Sequence, residues 1–525
     1  MSQMLKSSGA MAGATLVSRV LGLAREVCYA RFMGDGPVAG AFLLAFMIPN
    51  LFRRLLGEGA LTQVFIPIFK AKEKAEGKVA MWRSANAVVS GLLVVSAVLV
   101  GLVGLVVSAV LAWGELAANT RLLLELLRWM FPYMGLVCVA SVAMGMLNAR
   151  GHFFVPALAP AILNVILIVA VLGFAPMIEG GTREKVFALA IAVLLAGVAQ
   201  LLYQLPWLRR EGFRWKWISP WRDESVRKVA RKLAPAAIGA AAFQINVLAT
   251  QCLGFWSGDH VVASYTYAVR LMELPQGLFG VSMAVFLLPT LAGLAAEKKE
   301  GEFQATLSEG LGHVIFINSL MFVFLMVLPD AMARLLFERG AFTASSTEHV
   351  AFALRCLAPA LVFYSIVGLL VRAFNARGDV KTPMKISLIC LGVNLALAVA
   401  LMGQFPEELR QGAFGIANSI SACLNCVLLA MALKRRGIEL DLSVQHGPRS
   451  SWQLAGCTLL AAMATGGGLL AAYLWWGTIG LGARVGAVML PMALGGVVYL
   501  GLGALLGVPT VRQIWGLLRG VRGKE

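Results

Sequence analysis

The chain has 525 residues, of which 59% are hydrophobic and 14% charged, and its formal net charge is +18. Soluble domains carry about 25% charged residues, so the composition excludes an ordinary soluble enzyme. The basic excess is scattered through short stretches between long apolar runs rather than gathered in one domain, which argues against a nucleic-acid-binding protein.

A membrane-spanning helix needs about 20 residues, and only helices or closed barrels satisfy their backbone groups in lipid. The apolar runs are too long and continuous for barrel strands. The expected fold is therefore an all-α polytopic membrane protein with about fourteen transmembrane helices. The first is expected near 9–33, after a short polar stretch, Met1 to Gly9, without the features of a cleaved signal. It holds Arg19, Arg25, Glu26 and Arg31. A charge near the bilayer centre costs at least about 2.5–3.5 kcal/mol, so such residues face a water-filled cavity or a partner. Arg19 falls near mid-membrane and Arg25 toward the outer half; on an ideal helix they point about 120° apart. Arg19 and Glu26 share a face and are expected to compensate one another. Arg31 lies near the outer end, where it can snorkel.

The second span, near 38–69, holds Asn50, Arg53, Arg54 and Glu58. Adjacent arginines face different directions, so one of Arg53 and Arg54 is expected in a cavity and the other paired or interfacial. Spans near 84–112, 122–148, 155–178 and 184–206 follow, then a basic stretch over 207–231. Spans near 232–255, 262–296, 306–337, 348–376, 382–403 and 411–435 come next. Arg270 and Glu273 fall within the second of these, three apart and hence neighbours on the helix surface. A link over 437–451 leads to spans near 452–476 and 482–507 and a basic tail. Pro49, Pro132, Pro289 and Pro359 are expected kinks.

An internal repeat organises these spans. Arg128, Pro132, Asn148-Ala149-Arg150-Gly151 and Pro156 recur at one constant offset as Arg355, Pro359, Asn375-Ala376-Arg377-Gly378 and Pro383. The chain thus reads as an N-lobe (1–206), a basic linker (207–231), a C-lobe (232–436) and a C-terminal helix pair with its tail (437–525). Two lobes of six helices each enter from the same side, as a parallel pseudo-twofold repeat, and that architecture places a substrate site between the lobes. The Asn-Ala-Arg-Gly motif has two readings: the glycine ends one helix before the proline opens the next, or the motif acts in transport.

Lysine and arginine cluster in alternate loops, among them Lys70, Lys72, Lys74, Lys78 and Arg83, then Arg209, Arg210, Arg214 and Lys216. The positive-inside rule assigns that side, and with it both termini, to the cytoplasm. The eight cysteines, including the Cys423 and Cys426 pair, fall within spans and read as packing residues. The five histidines show no metal-ligand spacing, and no phosphate-binding loop of the ATPase type is present. Arginines outnumber acids within the spans. A planar guanidinium fork suits phosphate, so Arg19, Arg25, Arg53 and Arg270 are the candidate lining of a cationic chamber, with buried Arg–Glu pairing as the alternative.

Ser18-Arg19-Val20-Leu21-Gly22-Leu23-Ala24-Arg25, Pro49-Asn50-Leu51-Phe52-Arg53-Arg54 with Glu58-Gly59-Ala60, and Arg270-Leu271-Met272-Glu273-Leu274-Pro275 resemble the MurJ (MviN) family. These are lipid II flippases of the multidrug/oligosaccharidyl-lipid/polysaccharide exporter superfamily. The resemblance implies a transporter, not an enzyme. Its substrate would be lipid II, moved from the cytoplasmic to the periplasmic leaflet of the bacterial inner membrane by alternating access, as part of peptidoglycan synthesis. It implies Arg19, Arg25, Arg53 and Arg270 as substrate-binding cations and Glu58 as a cavity acid. Glu26, Arg54, Glu273 and Asn50 are secondary candidates, and the last two spans would form a groove for the polyprenyl tail. Some relatives bind sodium in the second lobe; Asn375 and Asp379 match part of that pattern, with helix capping by Asp379 as the other reading. No other cofactor is implied. Lipid II, membrane lipids and cell-wall synthesis proteins are the expected partners of a monomeric chain. The chain departs from many relatives in having Gly40, and from some in having Val269, where they carry an aspartate. A flippase for another polyprenyl-diphosphate-linked oligosaccharide stays open at this point.

Overall fold

The computed structural model describes residues 2–53, 60–277, 282–438, 440, 450–508 and 510–511. Among them, regular structure is entirely helical. In chain order the α-helices are α1 (Ser2–Met33), α2 (Pro37–Phe52), α3 (Ala60–Trp113), α4 (Ala118–Met130), α5 (Tyr133–Ala149), α6 (Phe154–Val169), α7 (Thr182–Arg210) and α8 (Glu224–Ser257). There follow α9 (Val261–Pro275), α10 (Ser282–Ala296), α11 (Glu300–Val327), α12 (Pro329–Leu336), α13 (Ala344–Ala376), α14 (Lys381–Met402), α15 (Arg410–Lys434), α16 (Ser450–Trp476) and α17 (Leu481–Leu505).

Nine helices among the described residues are long and apolar enough to cross a membrane, and the bent pair α4 and α5 makes a tenth. The chain is thus a multi-pass membrane protein. α1, α2, α8 and α9 are not among these helices; α1 carries Arg19 and Arg25, α9 carries Arg270, and Arg53 directly follows α2. Pro132 sits at the α4–α5 break, where the axis turns by 43°, because its ring removes a donor and clashes with the preceding turn. Pro359 instead lies within the continuous α13. A break that proline does not announce occurs in α3, at Gly77, whose φ of 84° ends one helical run and starts another.

The chain forms two compact units, residues 1–263 with 339–342, and 264–338 with 343–525. In the first, Phe65, Phe69, Trp82, Met146, Leu147 and Phe213 make a core between α3, α5 and the segment after α7. Residues 339–342 join this unit by packing on the end of α1. Ala341 N–H donates to the Arg31 carbonyl at 2.9 Å. Gly340 has a φ of 62°, and a Cβ there would lie 2.4 Å from the same carbonyl oxygen.

In the second unit, Leu287, Leu291, Phe303, Leu307, Leu369 and Phe374 join α10, α11 and α13. α16 and α17 attach through α11, where the Tyr499 hydroxyl donates to the Phe316 carbonyl at 2.8 Å. Arg484, at the start of α17, donates to the Glu338 carbonyl at 2.8 Å and to its carboxylate at 3.0 Å.

Candidate functional site

Arg25 is the most enclosed of the candidate cations. α1 carries it against α6, where its guanidinium donates to Asn164 Oδ1 at 3.0 Å. It also donates to Glu26 at 2.5 Å, with side chains only 11% and 3% exposed. Asn164 Nδ2 donates in turn to the Ser18 carbonyl at 3.1 Å, so one amide ties two turns of α1 to α6. The guanidinium lies 5.4 Å from the centre of the Tyr29 ring. Behind it, Tyr29, Phe42, Phe46 and Tyr133 form an aromatic wall across α1, α2 and α5, with successive centroids 5.3, 6.2 and 6.1 Å apart. The Arg25 Nε–H has no acceptor among the described residues. The cation is thus held by charge, amide and ring together and keeps a donor for an anionic oxygen.

Arg19 is exposed on α1. The compensation of Arg19 by Glu26, expected from their shared helix face, gives way to the Arg25–Glu26 contact. Glu26 is buried with Arg25, and a carboxylate leaving water takes the cation beside it. Arg53 follows α2 half-buried, and its Nε donates to Asn50 Oδ1 at 2.7 Å. Arg270 and Glu273, both in α9, pair at 2.7 Å. Arg54 and Glu58 lie outside the described residues. Asn164 was not among the candidates; its signal is a lone amide in the apolar run Pro160-Ala161-Ile162-Leu163-Asn164-Val165-Ile166.

A second polar cluster stands at each repeat of Asn-Ala-Arg-Gly. α5 ends on Gly151 at a φ of 86°, with His152 N–H on the Leu147 carbonyl and Gly151 N–H on that of Asn148. α13 ends the same way on Gly378 at 77°, with Asp379 N–H on Phe374 and Gly378 N–H on Asn375. Both are six-residue glycine caps that close the orphaned carbonyls of the last turn. The arginine before each glycine is clamped. Arg150 pairs with Glu73 at 2.7 Å and Glu211 at 2.8 Å, and Arg377 pairs with Glu300 and lies 5.0 Å from the Phe303 ring centre. Glu300 stands at the same offset from Glu73 as Arg377 from Arg150, so the ion pair is duplicated with the helices.

The residue after each glycine is paired too, with reversed polarity. His152 contacts Glu211 at 2.8 Å, whereas Asp379 pairs with Arg436. Hydrogen bonds from His152 and then Arg150 hold the Glu211 carboxyl below the usual carboxylate range. Burial alone would raise Asp379, but Thr382 and Arg436 outweigh it and lower it. Asp379 Oδ1 accepts from Thr382 N–H at 3.1 Å, at the start of α14. The candidate sodium ligand is thus engaged as a helix cap and ion-pair partner. No cluster of three or more histidine, cysteine or acidic side chains suited to a metal occurs among the described residues.

The family described as lipid II flippase MurJ matches residues 29–489. A protein of Vibrio cholerae serotype O1 named probable lipid II flippase MurJ is 32% identical, over 96% of this chain and 97% of its own. A Burkholderia cenocepacia protein named lipid II flippase MurJ is 33% identical, over 86% of this chain and 87% of its own. Among solved structures, one described as lipid II flippase MurJ in an inward closed conformation superposes with a TM-score of 0.75 at 21% identity. It covers 94% of this chain and 98% of that one, and at that identity the likeness concerns the fold.

Proposed function

The chain belongs to the MurJ family of lipid II flippases, and on that premise we propose that it moves lipid II from the cytoplasmic to the periplasmic leaflet of the bacterial inner membrane. It is a transporter, and the work is binding and release rather than bond making. Fourteen spans in two six-helix lobes and a C-terminal pair, with both termini cytoplasmic, complete the reading; the basic loops support that orientation.

Arg25 carries the proposal. It is a cation enclosed at membrane depth, oriented by Asn164 and Tyr29 and left with an open N–H. A guanidinium so placed fits a diphosphate, which offers several acceptor oxygens and negative charge. Arg19, Arg53 and Arg270 supply further positive charge, and Glu26 holds Arg25 in place between transport cycles. Asn50 and Glu273 orient Arg53 and Arg270 in the same manner. The polyprenyl tail stays in lipid beside α16 and α17 while the lobes rock. An inward-negative potential acts on the emptied cationic chamber at about 2.3 kcal/mol per charge per 100 mV, which helps reset it. The chain works as a monomer alongside cell-wall synthesis proteins.

The test is rescue of bacteria depleted of their own lipid II flippase, scored by lipid II reaching the outer leaflet. Wild type should rescue, and well-inserted Arg19→Ala, Arg25→Ala, Arg53→Ala and Arg270→Ala should not. Failure of well-inserted wild type would redirect the proposal to another polyprenyl-diphosphate-linked oligosaccharide. Rescue by all four variants would remove the arginine chamber. A sodium ion at Asn375 and Asp379 would have to displace Arg436 from Asp379. Ion coupling there therefore requires that Arg436→Ala raise sodium dependence; an unchanged dependence would leave Asp379 as a cap.

A further inference from the structure

The segment that follows α7 does not run free in water between helices. Phe213 packs edge-on against Trp82 of α3, with ring centres 5.5 Å apart. From there the chain climbs α3. Asn86 Nδ2 donates to the Arg214 carbonyl at 2.9 Å, and Lys216 N–H donates to Asn86 Oδ1 at 3.3 Å. Ile218 N–H donates to Ser90 Oγ at 3.3 Å. Pro220 comes so close to Gly91 that a Cβ there would lie 3.2 Å from the proline's own. The chain then returns, and the Ser225 hydroxyl meets that of Ser84 at 3.1 Å.

The level reached is informative. Arg83 is the last charged residue of α3, and the run from Ser84 to Trp113 is about 45 Å long, the thickness of a bilayer with both headgroup layers. Between Trp82 and Gly91 the loop therefore rises about 13 Å along the helix axis, past that last charge. That is the headgroup layer, where water is scarce and irregular backbone is stabilised when protein satisfies its N–H and C=O groups. Asn86 and Ser90, 4% and 0% exposed, do that for the Arg214 carbonyl and the Lys216 and Ile218 N–H groups, which accounts for two polar residues in an apolar helix.

The outward face of the loop has a distinct chemistry. Trp215, Trp217 and Trp221 are 48%, 61% and 72% exposed, and Arg214 and Lys216, which flank Trp215, are exposed as well. Tryptophan settles at the headgroup level of a bilayer, and basic residues there attract anionic lipid at about 1 kcal/mol each. We infer that residues 213–221 form an interfacial loop that docks on anionic phospholipid headgroups, with Arg214 and Lys216 on the phosphates and the three tryptophans in the interface. The inference does not depend on which molecule the protein carries or which side of the membrane the loop occupies.

The test uses the full chain in nanodiscs containing phosphatidylcholine and phosphatidylglycerol, with bromine on the acyl chains of one lipid or the other. The loop's share of tryptophan quenching is the difference between wild type and Trp215→Phe/Trp217→Phe/Trp221→Phe. Brominated phosphatidylglycerol should quench that share more efficiently than brominated phosphatidylcholine. The preference should reach at least about fivefold, the effect of one basic residue at an anionic surface. Arg214→Gln/Lys216→Gln should abolish the preference while quenching itself persists. Equal quenching by the two lipids in wild type would overturn the headgroup assignment. Absence of a loop-dependent share would overturn the insertion. Both variants change exposed side chains, and an unchanged elution profile and thermal midpoint confirm that they fold.

Discussion

Asn164→Leu is the sharpest perturbation of the Arg25 cluster. Leucine keeps nearly the same volume, so the change opens no cavity, but it removes the acceptor for the Arg25 guanidinium and the donor to the Ser18 carbonyl. A hydrogen bond to a charged group contributes about 1.5–3 kcal/mol and a neutral one about 1 kcal/mol. If the charged share is what orients Arg25, flipping should fall by about ten- to hundredfold. The assay is lipid II translocation in proteoliposomes, with thermal unfolding in detergent beside it. Asn164→Asp tests the charge: it keeps an acceptor for Arg25 but loses the donor to the Ser18 carbonyl and adds a carboxylate near Glu26, and it should slow flipping as well. A Leu variant that flips at the wild-type rate would refute the idea that Asn164 positions Arg25.

Three more outcomes are expected. Arg150→Ala and Arg377→Ala each unclamp one copy of the repeated helix end, and each should lower stability by about 1–3 kcal/mol; Arg150→Ala should cost more in detergent unfolding, because it breaks two ion pairs rather than one. The Glu211 carboxyl is held below its unfolded value of about 4.3, so its contribution is present above that pH and is lost as pH falls through the folded value. For a partly exposed group that contribution is about 1 kcal/mol or less, and Glu211→Gln should show a correspondingly shallower acid loss in a pH series of unfolding midpoints. Gly340→Ala forces a Cβ into a left-handed backbone against the Arg31 carbonyl and should destabilise by about 1–3 kcal/mol in the same unfolding assay.

The helical, membrane-embedded class was legible because apolar run length responds to bilayer thickness alone. The helix break at Pro132 and the glycine caps at Gly151 and Gly378 were legible for a local reason: each residue type dictates its own backbone. The break at Gly77 was not, since a glycine in an otherwise helical pattern carries no sign of its φ. Ion-pair partners were legible where they lie within one helix, as with Arg270 and Glu273. They were hidden where they depend on which helix packs beside which: nothing local joins Arg25 to Asn164 or Arg150 to Glu73. The Arg19–Glu26 expectation failed because helix periodicity ranks faces without saying which face is buried. Asn86 and Ser90 gave the least warning. As residues of α3 they look misplaced, and their reason lies in a loop more than a hundred positions later.

The reversed polarity after the two glycines bears on how a duplicated chain assembles. Two helix ends with the same glycine cap and the same Arg–Glu clamp invite exchange, in which a segment that belongs to one end packs on the other. Such a swap would set Glu211 against Asp379 and Arg436 against His152, carboxylate facing carboxylate and base facing base, in place of the observed His152–Glu211 and Asp379–Arg436 pairs. Each copy carries a key that fits only its own lock.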